Sequence, residues 1–208
     1  MNALPGASIT VLTTLLAYFI GGLPFGYWFV RLASGQDIRT MGSGNIGATN
    51  VHRTAGKKAG FIVLFLDIFK GFLAVAAASL IAHADTLALA LAAAAVMLGH
   101  CYPVLLRFKG GKAVACFIGA FLFLTPLALA ATAVVFIAVV GLTKYISLGS
   151  IIGALVFPFA VWIFSKPPRE ILYAAVFGAL LIIYRHKGNI ARLRAGTEHV
   201  FSFKGKPK

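Results

Sequence analysis

An all-α integral membrane protein with seven transmembrane helices, N-terminus outside and C-terminus in the cytoplasm, is the fold class that the sequence predicts. Three observations carry it. Long apolar runs follow one another with short polar connections between them. Hydrophobic residues are 60% of the 208 and charged residues only 12%, where a soluble domain carries about 25% charged residues. The basic residues gather in three segments, and a shared basic face is the cytoplasmic one.

The runs come in order. The first covers about residues 8–30 and ends at Arg31, with Pro24 expected to kink it. The opening MNALPGASIT lacks the positive start of a signal peptide, so this run is expected to stay as a span. The second covers about 59–82, and the third about 86–106, ending at Arg107. Next comes Ala113 to Leu142, interrupted by Thr125-Pro126, then runs of about 148–164 and 170–184. The middle stretch decides the topology. As one helix of about 30 residues it exceeds the ~20 that a bilayer needs. It would also put the tail across the membrane from the other basic segments. As two helices broken at Pro126, which lacks the helical donor, it brings all three segments to one face. Those segments are 31–58 (Arg31, Arg39, Arg53, Lys57, Lys58), 107–112 (Arg107, Lys109, Lys112) and the tail from Arg185 to Lys208. The two halves are short, and tilt or shielding inside the bundle accommodates that. Gly22–Gly26 and Gly149–Gly153 have the GxxxG spacing that lets helices approach closely. No hydrophilic stretch is long enough for a second core, so residues 1–208 read as one membrane domain.

The formal charge is +14, from 19 Lys and Arg against 5 Asp and Glu. Nucleic acid is a poor partner for bases held in short loops between spans. The positive-inside rule accounts for most of the charge, which leaves anionic lipid or an anionic substrate for the rest. Cys101 and Cys116 form no CxxC and have no clustered histidine, so both are expected reduced and packed, with no metal site.

Three polar stretches fall on the predicted cytoplasmic face. GSGNIGATNVHRTAGKK, residues 42–58, has no acid, and its glycines allow an anion-binding nest of N–H groups. Ser43, Asn45, Thr49 and Asn50 add neutral donors beside Gly47, and Arg53 adds a forked cation. A flexible basic loop has the same composition. GHCYPVLLRFKGGKA sets Lys109 and Lys112 about Gly110-Gly111 before a helix start, which suits phosphate; a turn with interfacial lysines also fits. Ala113 stands where a Walker loop requires Ser or Thr. In YRHKGNIARLRAGTEHV, His186 and Asn189 share a face if the helix continues, with Arg192 near it. An amphipathic interfacial helix is the alternative there, and Glu198 reads as a structural salt bridge. Inside the second span, Asp67 and Lys70 sit three residues apart, as a mutual ion pair facing the bundle interior would.

Together these stretches resemble the PlsY-type acyl-phosphate:glycerol-3-phosphate acyltransferases of bacterial inner membranes. GSGNIGATNVHR, GHCYPVLLRFKGGKA and YRHKGNIARLRAGTE are similar to its three motifs, in order, and GGLPFGY and DIFKG also look like family features. Ala113 departs from the glycine that many members have there. The resemblance implies transfer of an acyl group from acyl phosphate to the 1-hydroxyl of glycerol 3-phosphate, without acyl-CoA, metal or bound cofactor. On that reading Ser43, Asn45, Gly47, Thr49 and Asn50 hold the donor phosphate or carbonyl oxygen. Arg53, Lys109, Gly110, Gly111 and Lys112 hold glycerol 3-phosphate, while His186 and Asn189 orient the hydroxyl. The base is His186 or a phosphate oxygen of the donor. A transporter for a phosphorylated anion is the rival class, and a lipid-binding scaffold a third.

Overall fold

In the computed structural model, which describes residues 6–201, all the apolar runs are helical and no strand forms among the described residues. Residues 1–5 and Lys204, Lys206 and Lys208 of the basic tail lie outside them. The first run is α1 (Gly6–Gly21) and α2 (Phe25–Ser34), separated where Pro24 has no N–H to continue the helix. The short helix α3 (Ala48–Ala55) then leads through Gly56 (φ 92°) into α4 (Lys57–Ile81). A turn capped by Asp85, whose carboxylate accepts from the Ala88 N–H at 2.8 Å, starts α5 (Thr86–Cys101). The middle stretch is broken where the sequence predicts: α6 (Val114–Leu124) ends at Thr125, and α7 (Pro126–Thr143) begins with proline at its first position. Helices α8 (Ile146–Ala160), α9 (Arg169–Arg185) and α10 (Lys187–Arg194) complete the chain. Pro158 inside α8 is followed by a π-helical turn over Val161–Ser165.

Five segments are long and apolar enough to cross a membrane: 6–34, 57–81, 86–106, 126–143 and 146–165. Helices α9 and α10, bent by 54° to each other, make a sixth if taken together. The sequence predicts seven, and α6 accounts for the difference. Its 11 residues rise only ~16 Å, against ~30 Å of hydrocarbon. Cys116, Phe117, Gly119, Ala120 and Phe121 of this helix are buried against its neighbours.

Packing follows residue size. Alanines of α5 and the ring cluster Phe117, Phe121 and Phe157, with centroids 4.6–4.7 Å apart, fill the interior. Large apolar side chains such as Phe19, Phe65, Leu80 and Trp162 face outward, as a lipid-facing surface requires. The closest helix approaches are not at the predicted GxxxG pairs. Gly22–Gly26 spans the α1–α2 break. Gly21 and Gly99 instead bring α1 onto α5, and Gly71 and Gly119 bring α4 onto α6; a Cβ at any of these four would overlap backbone of the facing helix. Both cysteines are free and buried.

Candidate active site

The three polar stretches meet at one end of the bundle. The first is shaped by Asn50, which is 2% exposed. Its Oδ1 accepts from the Ser43 N–H at 2.9 Å, and its Nδ2 donates to the carbonyls of Met41 (3.0 Å) and Asn45 (2.9 Å). The amide is engaged by its own loop, so Asn50 shapes the loop, and the residue also lines the apolar groove described below. Asn45 Oδ1 accepts from the Gly47 N–H at 2.9 Å. The N–H groups of Ala48 and Thr49, at the start of α3, have no partner among the described residues, which leaves two donors for an anion. The Ser43 hydroxyl likewise makes no hydrogen bond with described residues. Asn50→Asp would keep the acceptor for Ser43 but set a carboxylate oxygen against two carbonyls. We expect it to cost about 3 kcal/mol, read as a lowered thermal midpoint, with Asn50→Ala milder.

In the second stretch, the predicted phosphate cradle of Gly110 and Gly111 is not open. The Gly110 N–H donates to the Cys101 carbonyl (3.1 Å) and the Gly111 N–H to the His100 carbonyl (2.9 Å). Arg185 caps the other side, donating from Nε to the Gly111 carbonyl (3.0 Å) and from Nη2 to the Gly110 carbonyl (3.1 Å), with its guanidinium over the Tyr102 ring. The turn therefore presents Lys112 and not its own amides. Lys109 is exposed and lines the basic vestibule described below, not the apolar groove.

Lys112 Nζ donates to Asn189 Oδ1 at 2.6 Å, and Asn189 Nδ2 donates to Glu198 Oε1 at 2.7 Å. Glu198 also accepts from Ser147 Oγ at 2.9 Å and pairs with Arg192 at 2.7 Å. Burial would raise the Glu198 carboxyl, but the hydrogen bonds from Asn189, Ser147 and Arg192 outweigh it and hold it below the usual range. Burial, then the nearby Arg192 charge, pushes Lys112 down to about 8. Burial likewise lowers the Arg53 guanidinium. The helix does not run straight through His186 as the sequence reading required. It bends there, and the ring Nδ1 lies 2.8 Å from the Ile182 carbonyl. A carbonyl can only accept, so Nδ1 carries the proton and Nε2 keeps its lone pair.

Two cavities share this wall. An apolar groove of about 870 Å³ runs along α4, α6, α7 and α8, past Phe61, Ile68, Ile118, Leu122, Leu129 and Phe136. Gly47, Thr49, Arg53 and His186 line its polar end. On the other side an open basic vestibule of about 1170 Å³ is lined by Arg39, Arg107, Lys109 and Arg185. Ser43, Asn45, Lys112, Asn189 and Arg192 line both. Asp67 and Lys70 pair at 2.8 Å in the interior, and Asp67, like His100, contributes to the lining of the groove. Sequence reasoning missed Ser147, whose place at the start of an apolar run carried no signal. It also left Arg185 aside, whose partners lie more than 70 residues away.

Comparison with known proteins assigns this architecture. A family model described as glycerol-3-phosphate acyltransferase matches residues 11–196. The chain belongs to the glycerol-3-phosphate acyltransferase family. The acyltransferase is 44% identical over 187 residues to the glycerol-3-phosphate acyltransferase of Syntrophotalea carbinolica, covering 90% of this chain and 95% of that one. It is 45% identical over 190 residues to that of Desulforamulus reducens, covering 91% and 94%. Among solved structures it is similar to PlsY (YgiH), an integral membrane glycerol 3-phosphate acyltransferase. The glycerol 3-phosphate form superposes with TM-score 0.87 at 37% identity, covering 93% of this chain and 96% of that one. The lysophosphatidic acid form gives 0.84 at 35%, covering 93% and 95%.

Proposed function

We propose that this membrane acyltransferase moves a fatty acyl group from acyl phosphate to the 1-hydroxyl of sn-glycerol 3-phosphate. The products are 1-acylglycerol 3-phosphate (lysophosphatidic acid) and inorganic phosphate, the first acylation of phospholipid synthesis. The observation that carries this reading is the pair of cavities meeting at one polar wall. An apolar groove suits an acyl tail, a basic vestibule suits a small phosphorylated alcohol, and Ser43, Lys112 and Asn189 stand between them. The donor is already activated, since phosphate is a good leaving group, so no covalent enzyme intermediate, metal or bound cofactor is part of the reading.

Geometry supports the following roles. Ser43, Asn45 and the free N–H groups of Ala48 and Thr49 hold the donor's phosphate or carbonyl oxygen, with Gly47 shaping the approach. Arg53 and Lys112 hold glycerol 3-phosphate, and Lys109 attracts it into the vestibule. His186 offers its Nε2 to the attacking hydroxyl; Asn189 fixes Lys112, and Glu198 fixes Asn189. Holding two mutually repelling anions in register can supply about 7–11 kcal/mol of the barrier. Seven passes, with the site on the cytoplasmic face of the bacterial inner membrane and the N-terminus outside, complete the proposal over residues 1–208. Its support is that Lys112 reaches Asn189 although α6 to α9 separate Lys112 from His186, which the short α6 allows by counting as one pass shielded inside the bundle. An even number of passes returns the chain to the same side.

The test is direct. Purified protein given palmitoyl phosphate and glycerol 3-phosphate should release lysophosphatidic acid and phosphate in equal amounts, and palmitoyl-CoA should not replace the donor. Glycerol 3-phosphate uptake into liposomes without acylation would favour a transporter instead. The pH profile gives a further check. Lys112 loses its proton as pH rises through about 8, so kcat/KM for glycerol 3-phosphate should fall above that pH. Lys112→Arg should move this limb upward, and Lys112→Ala should raise the KM throughout. An unshifted limb in Lys112→Arg would remove Lys112 from the phosphate site.

A further inference from the structure

The buried group formed by Asp67, Lys70 and His100 has no part in the roles above. All three side chains are less than 5% exposed. Lys70 Nζ sits 2.8 Å from Asp67 Oδ1 and donates to the Leu23 carbonyl at 2.7 Å. That carbonyl lies at the α1–α2 break. His100 Nδ1 faces the same Asp67 oxygen at 3.8 Å and makes no hydrogen bond with the described residues. The opposite edge of the His100 ring fills the space where a side chain on Gly111 would stand: a Cβ there would overlap Nε2. The His100 carbonyl takes the Gly111 N–H, while Arg185 takes the Gly111 carbonyl. The Gly111 backbone is thus held from both sides, and Lys112 is the next residue.

We propose that His100, set by Asp67, is a positioning residue: its ring fixes the Gly111 backbone from which Lys112 reaches the wall between the two cavities. The inference rests on Lys112 as a ligand of the glycerol 3-phosphate phosphate. It follows from two facts about one ring. The Asp67 carboxylate, neutralised by Lys70, faces one edge, and glycine is the residue whose backbone packs against the other. Asp67 and Lys70 then act at the glycerol 3-phosphate site through the His100 ring, although Asp67 and His100 also line the groove.

The test is a mutant cycle on the purified enzyme in lipid, with KM measured separately for glycerol 3-phosphate and palmitoyl phosphate. His100→Ala should raise the glycerol 3-phosphate KM about tenfold, the scale of a small misplacement of a binding group, and leave the palmitoyl phosphate KM unchanged. Gly111→Ala should raise the same KM at least as much, because its methyl displaces the ring. The double variant should be no worse than His100→Ala, since the ring is gone and the two changes share one contact. Asp67→Asn should shift the same KM and add nothing on top of His100→Ala. Additive effects would overturn the proposal, as would equal changes in both KM values or a lowered thermal midpoint with unchanged KM. Lys112→Ala keeps the two readings apart. If it raises the glycerol 3-phosphate KM while the cycle is additive, only the role of His100 falls. If it leaves that KM unchanged, the phosphate site falls and the proposal with it.

Discussion

His186→Gln is expected to lower kcat by about 10²–10⁴-fold under saturating substrates, the range for loss of a general base. The Ile182 carbonyl holds the ring proton on Nδ1, so the Nε2 lone pair is available to the glycerol 3-phosphate hydroxyl. Glutamine can offer an oxygen to that hydroxyl but cannot take its proton. The ring is buried at the junction of α9 and α10, so glutamine has room to keep the local packing. A variant that retains most of its kcat would hand the proton to a phosphate oxygen of the donor and leave His186 an orienting role.

The second large effect is expected at Ser43. Its backbone is held by Asn50, but its hydroxyl makes no hydrogen bond with the described residues, and the residue lines both cavities. Ser43→Ala should therefore lower kcat by about 10²–10³-fold, the loss typical of one donor aimed at developing charge. Stability should be untouched, because nothing in the fold depends on the hydroxyl. Stopped activity with an unmoved thermal midpoint supports the role. A midpoint that falls together with the activity would make Ser43 structural.

Much of the helix layout was readable from the sequence because apolar run length reports it directly. The break at Thr125-Pro126 was readable because proline removes a donor whatever its surroundings. α3 is hidden inside what looks like a glycine loop, because eight residues, five of them polar, carry too little hydropathy to show a helix. Composition pointed to phosphate chemistry but not to how the donors are used. Asn50, Gly110 and Gly111 are the residue types that bind anions, and the same types close turns; only the structure shows that their amide groups have partners within the protein. Those partners lie far off in sequence for Gly111, which meets Arg185, and for Asp67, which meets His100. No local pattern encodes such pairings. The closest helix approaches are hidden for a similar reason, although Gly149 and Gly153 do face α7, against the side chains of Val140, Phe136 and Thr132. GxxxG spacing within one run marks a possible contact, whereas Gly21 with Gly99 and Gly71 with Gly119 each join two runs.

The wall between groove and vestibule acts as a partition between two media. A tail dissolved in lipid and an alcohol dissolved in water each reach it from their own solvent, and neither crosses the other's. Amphiphiles that occupy the oily side should then compete with the acyl donor alone, and inorganic anions on the aqueous side with the acceptor. Inhibition patterns would thus report which compartment a compound came from.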